Sequence, residues 1–191
     1  MYPLFYEQVA VLFVRGWRHL VRSPAVLALH FLISTLVSLF LSAMYPELEM
    51  DIVGVVAKVG FLTFYLLWIA LTNLSAIEMF MSERAVFVAE RYSGAYRTPA
   101  YLTVKLVLDF ALLRVLPVCI SACIFYYPIG LRAEESAFWA FLGITLLFSI
   151  CTASLSVAIA NVANDFGVAV LVNGFFIIFY FIFGGYISQA D

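Results

Sequence analysis

Charge is scarce in this chain. Only 12% of its 191 residues are Asp, Glu, Lys or Arg, while 65% are apolar; a soluble domain carries about a quarter charged residues. So little polar surface cannot cover a water-soluble globule, which excludes a soluble enzyme or carrier. The basic residues number only ten, and no nucleic-acid partner is expected. Two histidines, His19 and His30, are too sparse for a metal-dependent membrane oxidase. Three cysteines, Cys119, Cys123 and Cys151, show neither metal-ligand spacing nor a disulfide framework, and in their apolar surroundings they read as small buried hydrophobes. No G-x-x-x-x-G-K-S/T loop, no H-E-x-x-H and no pair of intramembrane aspartates occurs. Phosphate-loop ATP hydrolysis and zinc proteolysis are therefore not activities of these residues. No inverted repeat of the secondary-transporter kind is evident. The first twenty-odd residues hold Glu7, Arg15, Arg18 and Arg22 rather than the unbroken apolar core of a signal peptide.

Long apolar segments are what the chain has in abundance. They predict an all-α, polytopic membrane helical bundle with five spans, at about residues 25–44, 52–80, 100–127, 137–163 and 166–187. Each is about one hydrocarbon thickness or more at a helical rise of ~1.5 Å per residue. Residues 1–23 precede them with Val9, Leu12, Phe13, Trp17 and Leu20 at helical spacing and the three arginines beside His19. That pattern suits an interfacial helix against anionic headgroups, or a basic flank that only orients the first span. His30, within the first span, reads as a satisfied structural histidine. The acidic stretch 46–51 ends that span, and Lys58 lies near enough to snorkel toward it. Small and hydroxyl residues from Ser149 to Ala160 let backbones approach closely, so the fourth span belongs at the centre of the bundle.

Ionisable groups occur where lipid or packed protein is expected. Glu78 sits late in the second span, and Lys105, Asp109 and Arg114 sit in the third. Charges at that depth are costly, about 2.5–3.5 kcal/mol each on insertion scales, so they read as paired. Lys105 and Asp109, four apart, share a helical face. Arg114, five beyond Asp109, is poorly placed to do so, and Pro117 is expected to kink the helix just past it. Between the two spans, residues 82–94 form a short surface helix with Ser82 as N-cap and Gly94 as stop; Glu83, Arg84, Glu90 and Arg91 recur seven apart. On the second span, positions 61, 64, 65, 68, 72 and 75 share one face, which by periodicity alone is lipid-facing or bundle-packing. Arg15, Arg18 and Arg22 fall on the same side as Arg84, Arg91, Arg97 and Lys105, so the positive-inside rule puts the N-terminus and the 82–99 connector in the cytosol.

Several of these stretches also resemble a known family. S-A-I-E-M-F, E-R-x-x-F-x-x-E-R-x-S-G-x-Y, A-Y-L-x-x-K-x-x-x-D-x-x-x-x-R-V-L-P and I-F-Y-Y-P-I-G-L together look like the ABC-2 type membrane domain of G-subfamily (white/multidrug-efflux type) ATP-binding cassette half-transporters. The match is dense over residues 74–131 and looser toward Gly184, Gly185 and Tyr186. The resemblance implies an exporter domain for lipid, sterol or drug. The chain itself would bind no cofactor, with ATP and Mg acting through a partner ATP-binding cassette domain, and a second half-transporter would complete the path. Residues 1–23 would then link an upstream ATPase to the first span, and the chain would lack that ATPase and the last helix. Glu83, Arg84, Phe87, Glu90, Arg91 and Gly94 would form the coupling helix. Phe64, Trp68, Leu71, Asn173, Ile178 and Phe179 would line the substrate cavity, and Glu78 would join Lys105, Asp109 and Arg114 in an internal polar cluster as the partner of Arg114. Two other classes stay open at this point: an ion-coupled carrier using the buried charges as a relay, and a non-transporting scaffold or fragment.

Overall fold

The structure is a computed structural model that describes residues 4–22, 24–45, 51–132 and 134–183. The described residues are helical, joined by short turns. In order they form α1 (Phe5–Arg22), α2 (Pro24–Met44), α3 (Ile52–Thr72), α4 (Ser75–Tyr92), α5 (Thr98–Asp109), a π-helical turn (Phe110–Val115), α6 (Leu116–Phe125), α7 (Glu135–Val162) and α8 (Phe166–Phe183). Five stretches are long and apolar enough to cross a bilayer: Leu27–Met44, Ile52–Tyr92, Thr98–Phe125, Glu135–Val162 and Phe166–Phe183. The chain is thus a polytopic helical membrane bundle. Most of the acidic stretch 46–51, and the Gly184, Gly185 and Tyr186 pattern with the last residues of the fifth span, lie outside the described residues.

α7 is the central post. It packs against α3, α4, the π-turn, α6 and α8. Its buried Thr145, Thr152 and Ser156 donate back to the carbonyls of Phe141, Phe148 and Thr152 at 3.0 Å. Each hydroxyl is satisfied within its own helix, so the stripe can be buried without a polar penalty. At one end of the bundle the core is aromatic. Phe61, Tyr65 and Phe125 meet with ring centroids 4.6–6.3 Å apart, backed by Leu41, Val118 and Ile129. At the other end α1 lies against α5 through Leu12, Tyr96, Ala100, Val104 and Leu108. Gly16 permits that approach, since a Cβ there would stand 2.7 Å from Leu108 Cδ1.

Two irregularities depart from the sequence reading. α4 is not a separate helix capped by Ser82; it starts at Ser75 and runs unbroken to Tyr92, and the Ser82 hydroxyl donates back to Met79 O at 3.2 Å. The break comes earlier, at Asn73 and Leu74, where the Thr72 and Ser75 hydroxyls each take a backbone carbonyl at 2.8 Å and so compete with the helical ladder. The expected kink near Pro117 takes the form of the π-turn, in which Leu116 N–H reaches Ala111 O, five residues back. Pro117 has no N–H to give Leu113, and the widened turn absorbs that loss.

The expected stop at Gly94 is present, with φ 72°. A side chain in that region is strained by about 1–2 kcal/mol. Gly94→Ala is therefore expected to lower the thermal midpoint of the purified chain, while Gly94→Asn, which tolerates the conformation, is expected to stay near the parent; equal midpoints for all three would count against the turn.

Candidate functional site

The buried charges are arranged around Arg114, which is 1% exposed. Its Nη1 donates to Ser75 Oγ at 2.9 Å, to Thr72 O at 3.1 Å and to Asn73 Oδ1 at 3.2 Å, so one guanidinium fastens the break between α3 and α4 to the π-turn. Its Nη2 stands 3.5 Å from Asp109 Oδ1. An α-helix carries residue i+5 well past residue i, but an i→i+5 turn brings it back into register. The π-turn therefore makes the very pair that α-helical spacing argued against. Asn73 is the second hub. Its amide donates to Ser149 O at 3.0 Å and Thr152 Oγ1 at 2.6 Å on α7. His30 Nε2 lies 3.0 Å from Ser75 Oγ, which brings α2 into the same network.

The expected four-charge cluster is divided. Lys105 pairs with Glu83 rather than Asp109, because α4 continues past it and brings that carboxylate alongside. Glu78 is exposed and makes no ion pair with the described residues; it lies a full turn beyond the break that Arg114 grips, on the outer side of α4. A continuous relay through Glu78, Asp109 and Arg114 is thus not assembled.

At the end of the bundle that holds α1, three of the residues expected on a free coupling surface, Glu83, Phe87 and Glu90, are turned toward neighbouring helices. Arg15 forks onto Glu90 at 2.8 and 3.0 Å, and Tyr96 OH donates to the same carboxylate at 2.7 Å. These contacts raise the already high pKa of Arg15. The Tyr96 phenol is also pushed up, first by burial and then by the hydrogen bond to Glu90. Glu83 accepts from Tyr101 OH at 3.0 Å as well as pairing with Lys105. Phe87 stacks on Tyr101 at 4.7 Å. Arg84 donates to Ala163 O at 2.8 Å, next to the α7–α8 turn. Of the six, Arg84, Arg91 and Gly94 stay exposed, and the outward stripe of α4 is Ala85, Val88, Ala89 and Tyr92. The recurring charges located this element but not its facing, since helical spacing is blind to which face has a neighbour.

The predicted cavity residues do not converge within the chain. Phe64, Leu71, Ile178 and Phe179 are exposed, at 46%, 44%, 59% and 45%. Trp68 is half-buried beside the Arg114 network. Asn173 is buried between helices, where its amide donates to Ser156 Oγ at 2.9 Å. An apolar groove of about 450 Å³ does exist, lined by Thr63, Leu66 and Ala70 of α3, Cys151 and Leu155 of α7, and Ile177 and Tyr180 of α8. It occupies the side of α3 turned away from Phe61 and Tyr65, the two members of the predicted stripe that the aromatic core takes. Cys151 and Cys123 are exposed rather than buried. No group of three or more potential metal ligands occurs among the described residues.

Comparison with known proteins adds to this geometry. Residues 7–191 match the family described as ABC-2 type transporter. The chain is 26% identical over 181 residues to the mouse "Broad substrate specificity ATP-binding cassette transporter ABCG2", covering 95% of this chain and 28% of that protein. It is 29% identical over 184 residues to "ABC transporter G family member 24" of Dictyostelium discoideum, covering 96% and 16%. It is 30% identical over 146 residues to a "Probable ATP-dependent permease" of Saccharomyces cerevisiae, covering 76% and 14%. The chain spans less than a third of the length of these relatives.

Proposed function

We propose, from the premise that this chain belongs to the ABC-2 type transporter family, that it forms one membrane half of an ATP-driven exporter of hydrophobic molecules. The observation that carries the reading is the 450 Å³ groove between α3, α7 and α8. A slot of that size is large enough to enclose much of a sterol, an acyl chain or a drug, and its few hydroxyls are enough to orient one. The exposed faces of α3 and α8 that carry Phe64, Leu71, Ile178 and Phe179 would meet a second half and close a path between them. This makes those four residues part of the interface between halves as much as of the substrate wall.

ATP and Mg would act through a nucleotide-binding domain on the side of α1 and the 93–97 turn, which the basic residues assign to the cytosol. That domain would press on the outward stripe Ala85, Val88 and Tyr92 beside Arg91. The Arg15–Glu90 fork and the Glu83–Lys105 pair would then pass the displacement into α1 and α5 as one body.

The groove is tested in a full-length, ATP-hydrolysing assembly. Thr63→Trp and Cys151→Trp fill it from half-buried and exposed positions, where insertion should survive. ATP-dependent export of a hydrophobic dye is expected to fall to background while ATP hydrolysis persists. Undiminished export in both variants would remove the groove from the path.

A further inference from the structure

We infer that the middle of the bundle contains a water-binding site at the junction of α2, α3, the π-turn and α6. A cavity of about 20 Å³ lies there, lined among others by His30, Ser34, Tyr65, Thr72, Arg114 and Ser121. That is room for a water molecule, and a water is held where two to four polar groups converge on such a space. Two of the lining residues supply groups in need of one. Arg114 Nε and Tyr65 Oη are buried and make no well-formed hydrogen bond with the described residues, the Ser121 hydroxyl being the polar group that stands beside Tyr65 Oη, and Tyr65 and Arg114 are each only 1% exposed. Buried polar groups at membrane depth require a partner. A water there accepts from Arg114 Nε–H, exchanges a hydrogen bond with the Tyr65 hydroxyl, and donates to Ser121 Oγ, whose own proton is given to Pro117 O at 2.8 Å.

The occupant is water rather than an anion. Asp109, 3.5 Å from the Arg114 guanidinium, already balances its charge, and the volume is that of a water. Its neighbours make the position consequential. The same guanidinium grips the α3–α4 break through Thr72, Asn73 and Ser75, so the water joins a kink in one crossing to the widened turn in the next. An exchangeable bridge lets Tyr65 and Arg114 stay satisfied while α3 and α6 shift relative to each other, which a direct side-chain contact does not.

Radiolytic hydroxyl labelling of the full chain in lipid nanodiscs, read residue by residue by mass spectrometry, tests the site. Bound water next to a side chain generates radical locally, so burial from bulk solvent does not protect it. Phe61 is the internal control: it stacks on Tyr65 with centroids 6.3 Å apart and is 0% exposed, within the apolar cluster. Tyr65 is expected to be oxidised several-fold faster than Phe61 or Phe125, and to drop to their rate in Ser121→Val, whose methyls occupy the cavity. Ser34→Val serves the same purpose from α2 if the first variant does not fold. Tyr65 labelling no faster than Phe61 in the parent would overturn the site. A fast rate that persists in a folded cavity-filling variant would trace the radical to bulk water and overturn it too.

Discussion

Arg114→Leu is expected to destabilise the bundle by about 3–5 kcal/mol, because removing one partner of a buried pair leaves the other charge uncompensated. Asp109 would remain, 1% exposed, without the guanidinium 3.5 Å away. The same substitution releases Thr72 O, Asn73 Oδ1 and Ser75 Oγ, so the α3–α4 break loses its attachment to the π-turn. Replacing both members should behave differently. Arg114→Leu with Asp109→Leu takes away both charges, and such exchanges are often neutral in stability. Reversible unfolding of the reconstituted chain measures each variant, and the double-mutant cycle isolates the pair. If Asp109→Leu added in the Arg114→Leu background restored nothing, the stranded carboxylate would not be the source of the loss, and the hydrogen bonds to the break would be.

Glu90→Arg is expected to abolish ATP-driven transport in a full-length assembly while leaving insertion and thermal stability close to the parent. The fork to Arg15 is partly exposed, with side-chain exposures of 53% and 27%, and pairs of that kind contribute only about 0.2–1 kcal/mol. Its importance is mechanical. Among the contacts between α1 and the end of α4 it is a two-point one, and reversal sets two guanidinium groups against each other while Tyr96 loses its acceptor. Exchanging the charges, Arg15→Glu with Glu90→Arg, restores the attraction and is expected to recover much of the transport. ATP-dependent uptake into inside-out vesicles reads the outcome. Full transport by the single reversal would separate this contact from power transmission; no recovery in the exchanged pair would assign Glu90 to a contact other than Arg15.

Composition and hydrophobic run length by themselves determined the class of this protein. With 12% charged residues and apolar runs of about a hydrocarbon thickness, every backbone group must be satisfied within its own segment, and that leaves a helical bundle. The central role of α7 was legible for a similar reason, since its small hydroxyl residues can satisfy themselves within the helix and still admit close neighbours. The turn at Gly94 was legible because glycine is the residue that most readily takes a φ of 72°.

Which groups meet was decided only by tertiary structure. A 3.6-residue period places Lys105 over Asp109 and Arg114 away from it; the π-turn at 110–115 brings Arg114 back to Asp109, while Glu83 on α4 takes Lys105, and nothing in the periodicity marks either before the chain is packed. The break at Asn73 and the inward facing of Glu83, Phe87 and Glu90 have the same origin. Helical spacing states which side chains share a face, whereas a face acquires a direction only when a neighbouring helix covers it. The groove shows this most plainly: it opens along positions 63, 66 and 70, because the aromatic core takes the other side of α3, while Asn173 bonds Ser156 and Trp68 lies at the polar junction.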